Sequence, residues 1–234
     1  MKPRYDWVLL DADRTLFDFE RSEQVSLRET LTQFGISADE ETIALYLKVN
    51  GACWAAFDRG ELAQDVLGRE RFARTLEALK VTGSDPEEMN LYYLNGLARH
   101  PYLLEGAEEL CKCLKPWCKV IIVTNGLTVA QTGRLANSAL RPYIDKMYIS
   151  QQLGCQKPEA AFFAQVFADL GIGEGEKRRT VIVGDSLSSD IQGGINAGID
   201  TIWLNSAGKK CPEGMQITHI VENLAAVGEI ILNP

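Results

Sequence analysis

The chain has no long apolar run. Its purely apolar stretches, such as residues 120–123, fall far short of the roughly 20 residues a membrane-crossing helix requires. The opening residues hold no apolar segment followed by a small-residue cleavage site, so no secretory signal is expected and the expected location is cytoplasmic. Basic charge is also scarce: 24 Lys and Arg stand against 32 Asp and Glu, a net charge of −8. A surface of that sign disfavours nucleic-acid polymers and anionic membranes, both of which need clustered cations to release counterions. Small molecules are the expected partners. Phosphate chemistry survives this exclusion, because a metal ion and one or two local cations can reverse the field at a single site.

There are two histidines, His100 and His219, in unrelated segments without a nearby Ser, Cys or metal-ligand pattern. Both are expected to be structural or exposed. The six cysteines, at 53, 111, 113, 118, 155 and 211, form no repeated C-x-x-C pair and read as reduced thiols rather than as a zinc site. No G-x-G-x-x-G follows the first strand-like run, which argues against a dinucleotide-binding enzyme. Internal repeats and low-complexity tracts are missing too.

What is present is an alternation of strand and helix patterns with one long interruption. The β-prone run Tyr5-Asp6-Trp7-Val8-Leu9-Leu10 stops at the polar group Asp11-Ala12-Asp13-Arg14-Thr15. Residues 18–96 then turn helical in period. Leu27, Leu31 and Phe34 share a face, Ser37-Ala38-Asp39-Glu40 reads as a capping box, Leu62 pairs with Val66, and Phe72, Leu76 and Leu79 repeat the spacing. Asp85-Pro86-Glu87-Glu88 supplies an N-cap, a proline at the first helical position and a glutamate two residues on. About four helices are expected in this insert.

Beyond Pro101, buried-strand patterns at 119–123, 146–150, 180–183 and 201–204 alternate with helical ones, ending in a helix at 222–232. The expected fold is α/β: a Rossmann-like parallel sheet with helices on both faces, plus an inserted all-helical unit. The sheet-bearing core would comprise residues 1–17 and 97–234, and the helical insert residues 18–96.

Ligands of open parallel sheets bind beyond the carboxyl ends of the strands, where crossover loops and helix N-termini converge. Three strands here end in polar residues at that edge. They bring Asp11, Asp13 and Thr15; Thr124 and Asn125; and Asp185, Ser186 and Asp190, with Lys157 added from a loop. Each alone could be an ordinary strand end or helix cap. Together they pose an electrostatic problem, since converging carboxylates must either keep protons or hold a cation. A hard divalent ion such as Mg²⁺ suits Asp11, Asp185 and the main-chain oxygen of Asp13. Such an ion, with Lys157, would let the Asp11 anion approach a phosphoryl group.

Asp11-Ala12-Asp13-Arg14-Thr15-Leu16-Phe17, Thr124-Asn125-Gly126, Lys157-Pro158 and Gly184-Asp185-Ser186 with Ser189-Asp190 resemble the four ordered motifs of the haloacid dehalogenase-like hydrolases. The stretch from Ser189 through Gly193-Gly194-Ile195-Asn196-Ala197-Gly198, continued by Trp203-Leu204-Asn205, is similar to the YjjG-like, house-cleaning 5′-nucleotidase branch. The resemblance implies a Mg²⁺-dependent phosphatase of small phosphomonoesters. Asp11 would be nucleophile and metal ligand, and Asp13 acid and base. Thr124, Asn125 and Lys157 would hold the phosphoryl group, and Asp185 would ligate the metal, with Ser186 and Asp190 ordering its surroundings. The insert would be a cap that selects the leaving group. Arg14 departs from the glycine many relatives carry at that position. Asp13 disfavours dehalogenation, which needs no proton donor for an ester oxygen.

Substrate identity is less legible. A nucleoside 5′-monophosphate is expected, with a sugar phosphate, a phosphoglycolate-type substrate or a phosphomutase outcome as alternatives; a phosphoryl-accepting module without turnover would not need Asp13. Trp54, Phe57, Tyr92 and Tyr93 could stack on a base, and Arg59 could meet an anion, or the aromatics could fill the interior of the lobe.

Overall fold

The computed structural model describes residues 3–233. Strand β1 (Trp7–Leu10) is followed by four helices, α1 (Phe19–Gln33), α2 (Glu40–Asp58), α3 (Gln64–Leu79) and α4 (Pro86–Arg99). Then come α5 (Ala107–Leu114), β2 (Lys119–Thr124), α6 (Thr128–Asn137), β3 (Lys146–Ile149) and the short α7 (Ser150–Leu153). The remainder holds α8 (Ala160–Leu170), α9 (Glu174–Lys177), β4 (Thr180–Gly184), a π-helical turn (Leu187–Ile191) and α10 (Gln192–Ala197). β5 (Asp200–Leu204), β6 (His219–Val221) and α11 (Leu224–Leu232) complete it. No helix among the described residues is long and apolar enough to cross a membrane.

The sheet has the order β3-β2-β1-β4-β5-β6 and every pairing is parallel. Parallel strands buried on both faces need apolar residues at successive positions, and the period of two sends neighbours to opposite layers. Val8, Leu10, Val120, Ile122, Val181 and Val183 pack with α5 and α11 on one face. Leu9, Ile121, Val123 and Ile182 meet Phe162, Phe163 and Val166 of α8 on the other. The expected Rossmann-like sheet with helices on both faces is therefore present. At the switch between β2 and β4, β1 sits centrally and directs residue 11 to the carboxyl edge.

Helices α1–α4 pack around Leu27, Leu31, Tyr46, Phe72, Leu76, Met89 and Tyr93, and this cluster reaches α6 through Leu127 and Ala130. Two local expectations are corrected. The N-cap of α2 is Asp39, whose carboxylate accepts from the Thr42 amide at 2.8 Å, while Ser37 Oγ donates to Asp39. Asp commits its oxygen as a full anion, so it caps in place of the serine two residues earlier. Val66 is exposed and Leu67 takes the buried position, because α3 begins only at Gln64. Helix α5 and strand β6, unremarked in the sequence pattern, are short elements whose faces are decided by the sheet they cover or extend.

Candidate active site

Asp11 follows the last residue of β1, and its amide donates to Val183 O of β4 at 2.9 Å, so the ladder itself sets its position. The residue is 7% exposed. Lys157 Nζ donates to Asp11 Oδ1 at 2.7 Å, to Asp190 Oδ1 at 2.6 Å and to the Val123 carbonyl at 2.7 Å. All three ammonium protons are thereby used. Lys157 is itself fastened to the β2 edge, its amide donating to Asn125 Oδ1 and its carbonyl accepting from Asn125 Nδ2, both at 2.9 Å.

One carboxylate oxygen from each of Asp11, Asp185 and Asp190 lies within 4.8 Å of the others. Asp190 enters this group because the π-helical turn after β4 folds its side chain back on Gly184. A Cβ at Gly184 would stand 2.3 Å from Asp190 Cγ, so only glycine fits that approach. The Ser186 amide donates to Asp190 Oδ2 at 3.1 Å and Ser186 Oγ caps the turn.

The electrostatics follow from burial. Desolvation, with the Asp190 and Asp185 charges, holds the Asp11 pKa well above the carboxylate range, and Lys157 only partly opposes it. Asp185 is pushed up to about 6, mainly by burial and then by Asp190. Burial alone would lower the Lys157 pKa, but Asp11 and Asp190 outweigh it and hold it above its ordinary value. Three acids around one lysine leave a negative surplus, the condition under which a site takes a divalent cation.

Asp13 lies apart from that group. Its carboxylate accepts from Gln131 Nε2 at 2.7 Å and pairs with Arg134 of α6, which is fully buried and stacks 4.9 Å from the Phe17 ring. The metal contribution expected from Asp13 used its main-chain oxygen, which leaves the side chain free for these partners. Thr124 is buried at the end of β2, its Oγ1 accepting from the Gly126 amide at 3.1 Å.

Asp11, Asp13, Thr124, Asn125, Lys157, Asp185, Ser186 and Asp190 all border one cavity of about 470 Å³. These eight residues are thus brought to one cavity, while Thr15, expected beside them, lies behind it and donates to Asp11 Oδ2 at 3.3 Å. The cavity has a second wall from the helical segment, made by Phe19, Glu23, Leu47, Asn50, Trp54 and Asp58. The aromatics divide: Trp54 lines the cavity, Tyr93 is fully buried in the lobe, and Phe57 is 7% exposed. Arg59 is exposed and paired with Glu61. Gln131, Arg134, Glu23 and Asn50 escaped the sequence reading, since no spacing in the chain foretells which helix faces turn toward the sheet edge.

Arg14 has φ +63°, the left-handed region in which a side chain is strained. A glycine would take that conformation without strain. Its guanidinium pairs with Glu20 at the base of α1, stacks 5.2 Å from the Phe19 ring and borders the cavity.

Residues 5–198 match the family model described as haloacid dehalogenase-like hydrolase. The chain belongs to that family. It is 37% identical over 204 residues to pyrimidine 5′-nucleotidase PynA of Streptococcus pneumoniae, covering 86% of this chain and 84% of the relative. To pyrimidine 5′-nucleotidase YjjG of Escherichia coli it is 32% identical over 228 residues, covering 97% and 98%. The crystal structure of the HAD-hydrolase YfnB from Bacillus subtilis, bound to magnesium and described as revealing interdomain movement, superposes with a TM-score of 0.88 at 32% identity. That match covers 99% of this chain and all of the other.

Proposed function

We propose that this chain is a Mg²⁺-dependent phosphatase of nucleoside 5′-monophosphates in which Asp11 is the nucleophile. The observation that carries the reading is the buried Asp11, oriented by Lys157 and grouped with Asp185 and Asp190 at the floor of a cavity roofed by α1 and α2. The nucleotide part of the reading is supported by the pyrimidine 5′-nucleotidases PynA and YjjG, to which the chain is similar along most of its length. The four-helix segment then acts as a cap that contacts the leaving group.

Asp11, Asp185 and a main-chain oxygen at Asp13 would hold the Mg²⁺, with Asp190 close behind. The donor set fits: oxygen ligands only, with negative charge in excess of the single lysine. The ion supplies charge neutralisation to the phosphoryl oxygens. Lys157 keeps Asp11 in register through the 2.7 Å contact, and an Asp11 oxygen attacks phosphorus as the ester P–O bond breaks. Asp13, braced by Gln131 and Arg134, gives its proton to the departing ester oxygen. It then takes a proton from the water that splits the aspartyl phosphate, returning Asp11 and inorganic phosphate. Thr124 and Asn125 border the phosphoryl position.

The test is phosphate release from nucleotides, sugar phosphates and small phosphorylated acids, with Mg²⁺ and with chelator. Asp11→Asn is expected to abolish release with the fold intact, and Asp13→Asn to lower kcat by about 10²–10⁴-fold, the range of general acid–base catalysis. Wild-type rates from either variant, or full activity in chelator, would overturn the reading.

A further inference from the structure

The far wall of the cavity is polar where a purely structural helical lobe would be apolar. Glu23 of α1 and Asn50 of α2 border it beside Phe19, Leu47 and Trp54, yet they are only 7% and 5% exposed. Glu23 Oε1 accepts from Asn50 Nδ2 at 2.9 Å and from the Tyr93 hydroxyl at 3.3 Å. Asn50 is steadied in turn by Arg71, whose Nη1 lies 3.4 Å from Asn50 Oδ1 and whose Nη2 donates to Asn90 Oδ1 at 2.7 Å. One oxygen of the glutamate is therefore doubly served. The other, Oε2, receives no hydrogen bond from any described residue.

Oε2 is not among the fully buried polar atoms left without a partner, so it opens on the cavity, while burial of the rest of the side chain holds the Glu23 pKa above its ordinary value, with Arg71 offsetting part of the effect. The buried charge of Arg71 accounts for an acid at this position, but not for an oxygen of that acid turned to the cavity without a donor from any described residue. A ligand bearing an N–H at that point would meet an acceptor already fixed in place. The donors on Oε1 come from α2 and α4, so the carboxyl plane is set by three helices before any ligand arrives.

We infer that Glu23 is a specificity-determining residue, its Oε2 accepting a hydrogen bond from a ring N–H of the base of a nucleoside 5′-monophosphate whose phosphate lies at Asp11. Phe19, Leu47 and Trp54 supply the apolar surroundings of the ring. The inference rests on the nucleotidase reading above and names the residue that reads the base. Among pyrimidines, uracil and thymine present an imide N–H at N3, whereas cytosine presents a bare acceptor there. A lone acceptor suits the first kind.

The experiment compares kcat/KM for uridine 5′-monophosphate with that for its N3-methyl derivative, in the wild type and in Glu23→Gln. Gln keeps the Oε1 partners and replaces the free acceptor with a donor. The wild type is expected to prefer the parent nucleotide by about tenfold or more, the scale of a hydrogen bond to a charged group, and the variant to compress that ratio toward unity. Equal turnover of both substrates by the wild type overturns the inference, and so does an unchanged ratio in a variant whose circular dichroism is native. If the variant does not fold, the wild-type ratio decides alone. A wild type that releases phosphate from sugar phosphates but from no pyrimidine monophosphate sinks the nucleotidase reading together with this one.

Discussion

Removing the metal from this protein should cost stability in a pH-dependent way, and the sign can be worked from Asp185. In the metal-free protein its pKa is pushed up to about 6, against about 3.9 for an unhindered aspartate. A folded-state pKa above the unfolded one contributes stability that is fully present below pH ~4 and is lost as the pH rises through about 6. The difference corresponds to roughly 2–3 kcal/mol, trimmed at the lower end because Asp185 is partly open to solvent. Asp11, raised by burial and by the same neighbours, adds in the same direction.

Mg²⁺ binds the ionised carboxylates and restores what their ionisation removed, so its stabilising effect must grow with pH. At a concentration about 100-fold above its dissociation constant the ion contributes about 2.7 kcal/mol. For a chain of this size that is a rise in Tm of about 5–11 °C at pH 7.5. Near pH 5 protons compete for the same oxygens and the rise should shrink to a small fraction. Thermal melts of the chelated protein with and without added Mg²⁺, at both pH values, measure this directly. Asp185→Asn should raise the Tm of the metal-free protein at pH 7.5 and reduce the response to the ion. Equal Mg²⁺-induced shifts at pH 5 and pH 7.5 would refute the reasoning, because the acids would then not be the ligands.

Two further outcomes test the fold around the site. Arg14→Gly relieves about 1 kcal/mol of left-handed strain and loses an exposed ion pair with Glu20 and the stacking on Phe19, while gaining disorder in the unfolded chain. Its Tm should stay within about 4 °C of the wild type, and a larger fall in a melt would show that the guanidinium holds the loop. Gly133→Ala places a Cβ 2.3 Å from Ala98 Cβ at the crossing of α6 with α4. Forcing those helices apart should cost about 1–3 kcal/mol, read as a drop in Tm of several degrees, and an unchanged melt would mean that the lobe docks elsewhere.

The chain's local patterns were enough to read the parallel sheet and the convergence of its acids. Buried parallel strands are nearly continuous apolar runs, and each here stops at a polar group. β1, β2 and β4 end at Asp11, Thr124 and Gly184-Asp185, and parallel geometry sends all three ends to one edge. Period and capping likewise exposed α1 to α4. Tertiary structure alone decided the rest. Nothing in the spacing of Gln131 and Arg134 shows that α6 turns both toward Asp13, nor that Glu23 meets Asn50 and Tyr93 across three helices. Hydrophobic period identifies the face a helix buries but not the element it is buried against, and so the partner of a polar residue on that face is set by packing between segments distant in the chain.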